Sequence, residues 1–425
     1  MTNRINRRQF VSQAAASATA LSLAPGFLTN TVAALAGESA PLQGLNDNHI
    51  LLLLQLDGGN DGLNTLVPYG DDEYYRARPQ VAIKPDKVLK LNEHLGLHPE
   101  LVELKQMYDE GHLALIQNVG YPNPNRSHFT STEIWQQSTV FDPTQPRDVL
   151  DGWIGRYFEQ QCANVASPAL GLQVGERSTL AFASRTPRGV TIANPTIMEW
   201  RKHERGLQGV HRGAQKTKAN PHDDFAYVQQ MGHSTLTLAD RIRAARQVKS
   251  RVEYAPYQLS QSLKLVGQLI AADLPTRVYY TSITGFDTHV TQDFRHGGLM
   301  QEVSQAVSTF ARDMKAAGHW DRILVMTFSE FGRRLQENSS RGTDHGAASM
   351  MFLAGGAVAP GIHGVNPDLR DLDDGDIKQQ IDFREVYAAV LQDWFGVANP
   401  KPILLGDYRP LPIIKGGKEQ ARKAG

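Results

Sequence analysis

The chain has 425 residues, with 44 basic and 44 acidic side chains, and 41% of it is hydrophobic. That balance excludes a basic nucleic-acid binder and fits a globular protein with a sizeable core. Cys162 is the only cysteine, so burial rather than an intramolecular disulfide must stabilise the fold.

Residues 1–36 read as an export leader. Arg7-Arg8 precedes Gln9-Phe10-Val11, the pattern of a twin-arginine signal. An alanine-rich apolar stretch from Ala14 to Leu28 follows, too short to hold a bilayer permanently. Ala34-Leu35-Ala36 offers a small-x-small cleavage site, which places processing after Ala36. The implied partners are the twin-arginine translocase and signal peptidase, and the destination is the periplasm or the exterior. Arg4, Arg7 and Arg8 are the leader's only charges, so the mature chain carries 41 basic against 44 acidic groups. None of its apolar stretches reaches the length of a membrane span, and no stable membrane insertion is expected after cleavage.

Beyond the leader, apolar runs alternate with helical patterns. Ile50–Leu56 is the first run and ends in Asp57-Gly58-Gly59-Asn60-Asp61-Gly62. His98-Pro99-Glu100-Leu101 opens a helix carrying Leu101, Leu104 and Tyr108 on one face, stopped by Gly111. Leu113–Val119 is the next run, leading to Arg126-Ser127-His128 and a short helical pattern from Phe129 to Trp135. The polar stretch from about Asp151 to Tyr254 reads as an insertion or cap containing a flexible loop. Helical spacing returns from about Tyr257 to Ala272, and again from Leu299 to Ala317. Between them, Arg277–Tyr280 and Ile283 lead to Gly285-Phe286-Asp287-Thr288-His289. Ile323–Phe328 leads to Ser329-Glu330-Phe331-Gly332-Arg333-Arg334, followed by Gly342-Thr343-Asp344-His345-Gly346. Asp382-Phe383-Arg384-Glu385 starts a last helix through Trp394, closed by Gly396. Near-continuous apolar runs alternating with helices predict an α/β fold, a largely parallel sheet covered by helices on both faces. One domain is expected over residues 37–414, with a flexible basic tail over 415–425.

In such a sheet ligands bind beyond the carboxyl ends of the strands. Asp57, Ser127, His128, Asp287, His289 and Glu330 would share that edge, with Asp344 and His345 in the following loop. Carboxylates and imidazoles are the donors a divalent ion accepts. Each cluster alone has a plainer reading. Asp57 can set a turn, His128 can be a core histidine, and Asp287 with His289 can form a hydrogen bond. Arg333 or Arg334 can neutralise Glu330. Their convergence points to a metal or catalytic centre.

Together these motifs resemble the domain-of-unknown-function 1501 family, in order and over nearly the whole mature chain. That family is similar to the alkaline phosphatase and sulfatase superfamily. The resemblance implies a metal-dependent hydrolase fold binding zinc, manganese or calcium through Asp57, Asp287, His289, Glu330 and His345. Asp344 would be a further ligand or orient His345. Ser127 would sit at the nucleophile position, with His128 beside it and Arg126 or Arg333 holding the anion of a small ester. Phe331 follows Glu330 where the superfamily has a histidine. Ser127 lies outside the Cys/Ser-x-Pro-x-Arg sequence of formylglycine sulfatases, so that type is disfavoured. The leading expectation is hydrolysis of phosphate or sulfate esters. The alternative is an exported binding protein that kept the fold and lost the chemistry. A metal-free hydrolase built on Ser127 and His128 ranks last, because adjacent residues rarely align as nucleophile and base. Ser127 also suits the N-cap of the helix that follows it.

Overall fold

The computed structural model describes residues 48–139, 151–163, 165, 167, 169–186, 188–193 and 238–416. The leader with its cleavage position, residues 194–237 of the expected insertion and the tail from 417 lie outside the described residues.

A nine-stranded sheet organises the fold. In chain order its strands are β1 (Ile50–Asp57), β2 (Leu113–Gly120), β3 (Gly171–Val174), β4 (Gly189–Ile192) and β5 (Val278–Thr284). They continue as β6 (Ile323–Phe328), β7 (Ser349–Gly355), β8 (Gly361–His363) and β9 (Ile381–Asp382). Across the sheet the order is β8-β2-β7-β6-β1-β5-β3-β4, with β9 also pairing β2. Every pairing is parallel except those of β7, which runs antiparallel to β2 and to β6.

Strand β1 is central and buried on both faces. Leu52, Leu54 and Leu56 pack with Leu104 of α1 (Val102–Asp109), Leu263 of α4 (Gln258–Ala271) and Phe310 of α5 (Gln292–Ala316). Leu51 and Leu53 face the other way, towards Trp135 of α2 (His128–Gln137), Tyr157 of α3 (Trp153–Gln161) and Tyr387 of α6 (Phe383–Ala389). The period-2 alternation of a strand thus feeds two cores. Each buried leucine contributes about 2 kcal/mol. Cys162 is buried, as a small hydrophobe would be. Among the described residues no helix is long and apolar enough to cross a membrane.

Several boundaries differ from the sequence reading, each for a local reason. Helix α1 starts at Val102 rather than at Pro99, because Leu101 has a non-helical ψ of 38°, and its first N–H groups are capped from elsewhere. Those of Glu103 and Leu104 both donate to Ser304 Oγ on α5. Helix α5 starts at Gln292 rather than Leu299. Its first two turns bury Gln292 and His296, which make hydrogen bonds there instead of supplying an apolar stripe. Residues 153–192, expected within a polar insertion, build α3 and two strands of the central sheet. Strands β3 and β4 have four residues each, too few to stand out among polar neighbours. At the last helix Asp382 does cap, accepting from Arg384 N at 3.0 Å, and Gly396 beyond its end has φ +70°.

Candidate metal centre

The parallel arrangement brings the ends of β1, β2, β5 and β6 to one edge. Gly58, just past β1, is where three of them meet. Its φ is +121°, and a Cβ there would lie 2.3 Å from the backbone nitrogen of Asp287, so only glycine fits. Its N–H donates to Glu330 Oε1 at 2.9 Å. A hairpin of Arg333–Glu337 and Thr343–His345 folds over this edge. It comes so close that a Cβ on Gly342 would sit 2.2 Å from the His289 backbone.

Three imidazoles meet at Asp287, and the group behind each ring sets its tautomer. His289 Nδ1 lies 3.0 Å from Asp344 Oδ1. His345 Nδ1 lies 2.9 Å from the carbonyl oxygen of Arg126. His128 Nδ1 lies 2.7 Å from Glu330 Oε1. Carboxylates and carbonyls only accept, so each Nδ1 carries the proton, and in the neutral rings each Nε2 is left with a bare lone pair. His289 Nε2 and His345 Nε2 are 2.9 Å apart, and each is 3.1 Å from Asp287 Oδ1. His128 Nε2 stands 3.6 Å from Asp287 Oδ2. Electron-rich atoms packed this tightly repel one another unless a proton or a metal cation lies among them. His128, Asp287 and His345 can also present ligand atoms within 4.8 Å of one another. Imidazole and carboxylate donors, each fixed from behind by an acceptor, fit a transition-metal ion.

Arg333 supplies the nearest fixed positive charge. Its side chain is 0% exposed and donates to Asp287 Oδ1 at 2.9 Å. Its remaining donors hold the carbonyls of Gly58, Gly59, Phe286 and Thr343. Burial opposes ionisation of Asp287. The hydrogen bond and the charge of Arg333 outweigh it and hold the carboxyl pKa at about 2. The hydrogen bond to Glu330 raises the pKa of His128, whereas burial lowers that of His345.

The other expected site residues fall around this cluster. Glu330, expected as a metal ligand, is fully buried with Oε1 held by His128 Nδ1 and the Gly58 N–H, and these rather than Arg333 or Arg334 are its partners. Asp344 stands behind His289, not His345, and also accepts from Asn338 Nδ2 at 3.1 Å. Asp57 has its carbonyl on Phe286 N, and its carboxyl is pushed up by burial and by the charge of Glu330. Ser127 is exposed at the N-cap position of α2, yet its hydroxyl makes no cap hydrogen bond. It lies between Arg126, whose carbonyl holds His345, and His128. Of the two arginines expected to hold an anion, Arg126 is 37% exposed with its guanidinium on Asp376 and Asp374.

The polar layer behind the site was not foreseen. Asp61 and Arg78 form an ion pair at 2.6 Å with both side chains 0% exposed. Gln292 donates to the same carboxylate and accepts from Thr288 and Thr343, the residues just before His289 and Asp344. Asp61 had a signal in the Asp-Gly-Gly-Asn-Asp-Gly motif. Arg78 had none, because no local pattern marks an arginine that pairs across a loop.

Solved structures similar to this chain include the following three. A protein in the alkaline phosphatase superfamily from Vibrio parahaemolyticus is 9% identical, with a TM-score of 0.41, over 96% of this chain and 78% of that one. A phosphonate monoester hydrolase from Silicibacter pomeroyi is 13% identical, with a TM-score of 0.40, over 86% and 76%. A sulfatase from Pseudoalteromonas sp. is 11% identical, with a TM-score of 0.39, over 94% and 74%. No curated protein matches the sequence. Residues 47–403 match the family described as "Protein of unknown function (DUF1501)", and the chain belongs to that family.

Proposed function

We propose that the protein is an exported, metal-dependent hydrolase of phosphate or sulfate esters. The observation carrying this reading is the packing of His289 Nε2, His345 Nε2 and Asp287 Oδ1 within 3.1 Å of one another. The donor set is rich in nitrogen, which favours zinc over manganese or calcium, ions that suit oxygen ligands. A bound divalent ion would polarise the ester oxygen and ease ionisation of a nearby hydroxyl. The chain itself would supply Ser127 as nucleophile, at the start of α2, where backbone N–H groups favour the ester's anionic oxygens. Zinc content of the purified protein, with turnover of chromogenic phosphate and sulfate mono- and diesters, tests the reading. A protein that binds no divalent ion and turns over none of these esters refutes it.

Ser127→Ala separates nucleophile from cap. A serine that caps contributes about 1 kcal/mol, but Ser127 makes no such bond. The variant is therefore expected to lose turnover while its melting temperature and metal content stay those of the wild type. Near-normal activity would remove Ser127 from the chemistry.

The alternative reading, a binding protein without turnover, has one observation in its favour. The Phe331 ring centroid lies 4.9 Å from that of His128 and 4.5 Å from that of His345, filling space that another nitrogen ligand would need. Stoichiometric zinc without turnover of any ester would select this reading.

Export is tested separately. Changing Arg7 and Arg8 to lysine is expected to leave a folded, full-length precursor in the cytoplasm. A metal site exists only in the folded chain, so loading before transport requires folding first. Normal processing after Ala36 in that variant would contradict the route.

A further inference from the structure

We propose that Asp376 is a positioning residue for the metal centre, acting through Arg126; this rests on the metal-site reading above. Asp376 lies on a small hairpin, Leu372–Asp373 paired with Asp376–Ile377, which is not part of the central sheet. Its side chain is only 3% exposed. A carboxylate is costly to bury unless it is paired. Its partners are the arginines next to two residues of the site. Oδ2 accepts from Arg126 Nη2 at 2.5 Å and from Nε at 3.1 Å. Oδ1 is 3.4 Å from Arg334 Nε. Arg126 immediately precedes Ser127, and Arg334 immediately follows Arg333.

The link to the ion site runs through direct contacts. Asp376 grips the Arg126 guanidinium with two bonds to one oxygen. The Arg126 carbonyl in turn holds His345 Nδ1 at 2.9 Å, which fixes the nitrogen that His345 turns towards Asp287 and His289. Partners one shell behind a metal ligand typically change affinity by about 10–100-fold. Asp376 adds the next link in that chain.

Asp374 provides an internal control. It touches the same two arginines at 3.2–3.4 Å, but its side chain is 78% exposed at the turn of the hairpin. Asp374→Asn removes the same charge as Asp376→Asn without removing the buried grip. The experiment titrates zinc into the mature protein against a chromogenic chelator, well below the melting temperature of each variant. Asp376→Asn is expected to bind zinc about 10-fold more weakly. Asp374→Asn is expected to stay within about twofold, as an exposed pair should. The double variant Arg126→Gln/Asp376→Asn should lose no more than Arg126→Gln alone, since both cut one link. Wild-type affinity in Asp376→Asn, or an equal loss in Asp374→Asn, overturns the proposal. If Asp376→Asn does not fold, Arg126→Gln decides alone, and unchanged affinity there overturns it. A wild-type protein that binds no zinc instead refutes the metal centre itself.

Discussion

His345→Ala is expected to abolish zinc binding, lowering affinity by more than about 100-fold, beyond the range produced by changing only the residues that hold a ligand from behind. His345 Nε2 is at once 2.9 Å from His289 Nε2 and 3.1 Å from Asp287 Oδ1, so its loss opens the tightest corner of the cluster. The deletion also leaves the Arg126 carbonyl without the imidazole N–H that it accepts. His289→Ala should behave likewise, because it removes the other nitrogen of that corner and leaves Asp344, steadied by Asn338, with no ring to orient. The control is Glu385→Ala, in the first turn of α6. It is expected to keep full zinc stoichiometry and to lose at most about 1 kcal/mol of helix support. Metal analysis after dialysis against trace zinc, with melting curves of the same samples, checks all three. Full zinc retention in both histidine variants would sink the assignment.

Arg78→Met is expected to destabilise the fold by about 3–5 kcal/mol, the usual cost of leaving one member of a buried ion pair alone. Arg78 donates to Asp61 Oδ2, to Asn64 Oδ1 and to the carbonyls of Arg334 and Leu335. Methionine fills much of the volume and replaces none of these bonds. The pH dependence should change as well. Burial works against ionisation of Asp61, but the charge and hydrogen bond of Arg78 outweigh it and set its carboxyl below the usual value. A lowered carboxyl pKa contributes stability that is complete above the unfolded value, about 4. That stability fades as pH falls through the folded value. Without Arg78, burial dominates and the shift reverses, so the variant should lose stability as pH rises through the carboxylate range. Urea unfolding of both proteins between about pH 3 and 8 checks the sign. Parallel curves would show that Arg78 does not set the ionisation of Asp61.

Much of the site's location was legible in the sequence. Asp57, Asp287 and Glu330 each close an apolar run, and parallel strands must put such ends on one edge. The roles were less legible, because they depend on distances of a few ångströms between loops far apart in the chain. Nothing local tells that Glu330 stands behind His128, or that Asp344 stands behind His289 and not behind its neighbour His345. The fold shows the same division. The class follows from long apolar runs such as Ile50–Leu56. Strand direction does not, and Ser349–Gly355 is as apolar as its neighbours while running against them. The start of α5 escaped notice because its buried residues, Gln292 and His296, are polar and serve the site.

That reversed strand, β7, also limits the order in which the molecule can assemble. It is the seam through which β2, β8 and β9 join the rest of the sheet. On the other side, β1 has no sheet partner until Val278 has been synthesised. During translation the two earliest long strands, β1 and β2, must therefore wait with both edges unpaired. Pairings so distant in sequence are slow to form, and the waiting segments are exposed to aggregation. A ribosome-bound chain lacking Ser349–Gly355 has no seam to close. Nearly the whole polypeptide must have emerged before its central sheet can be completed.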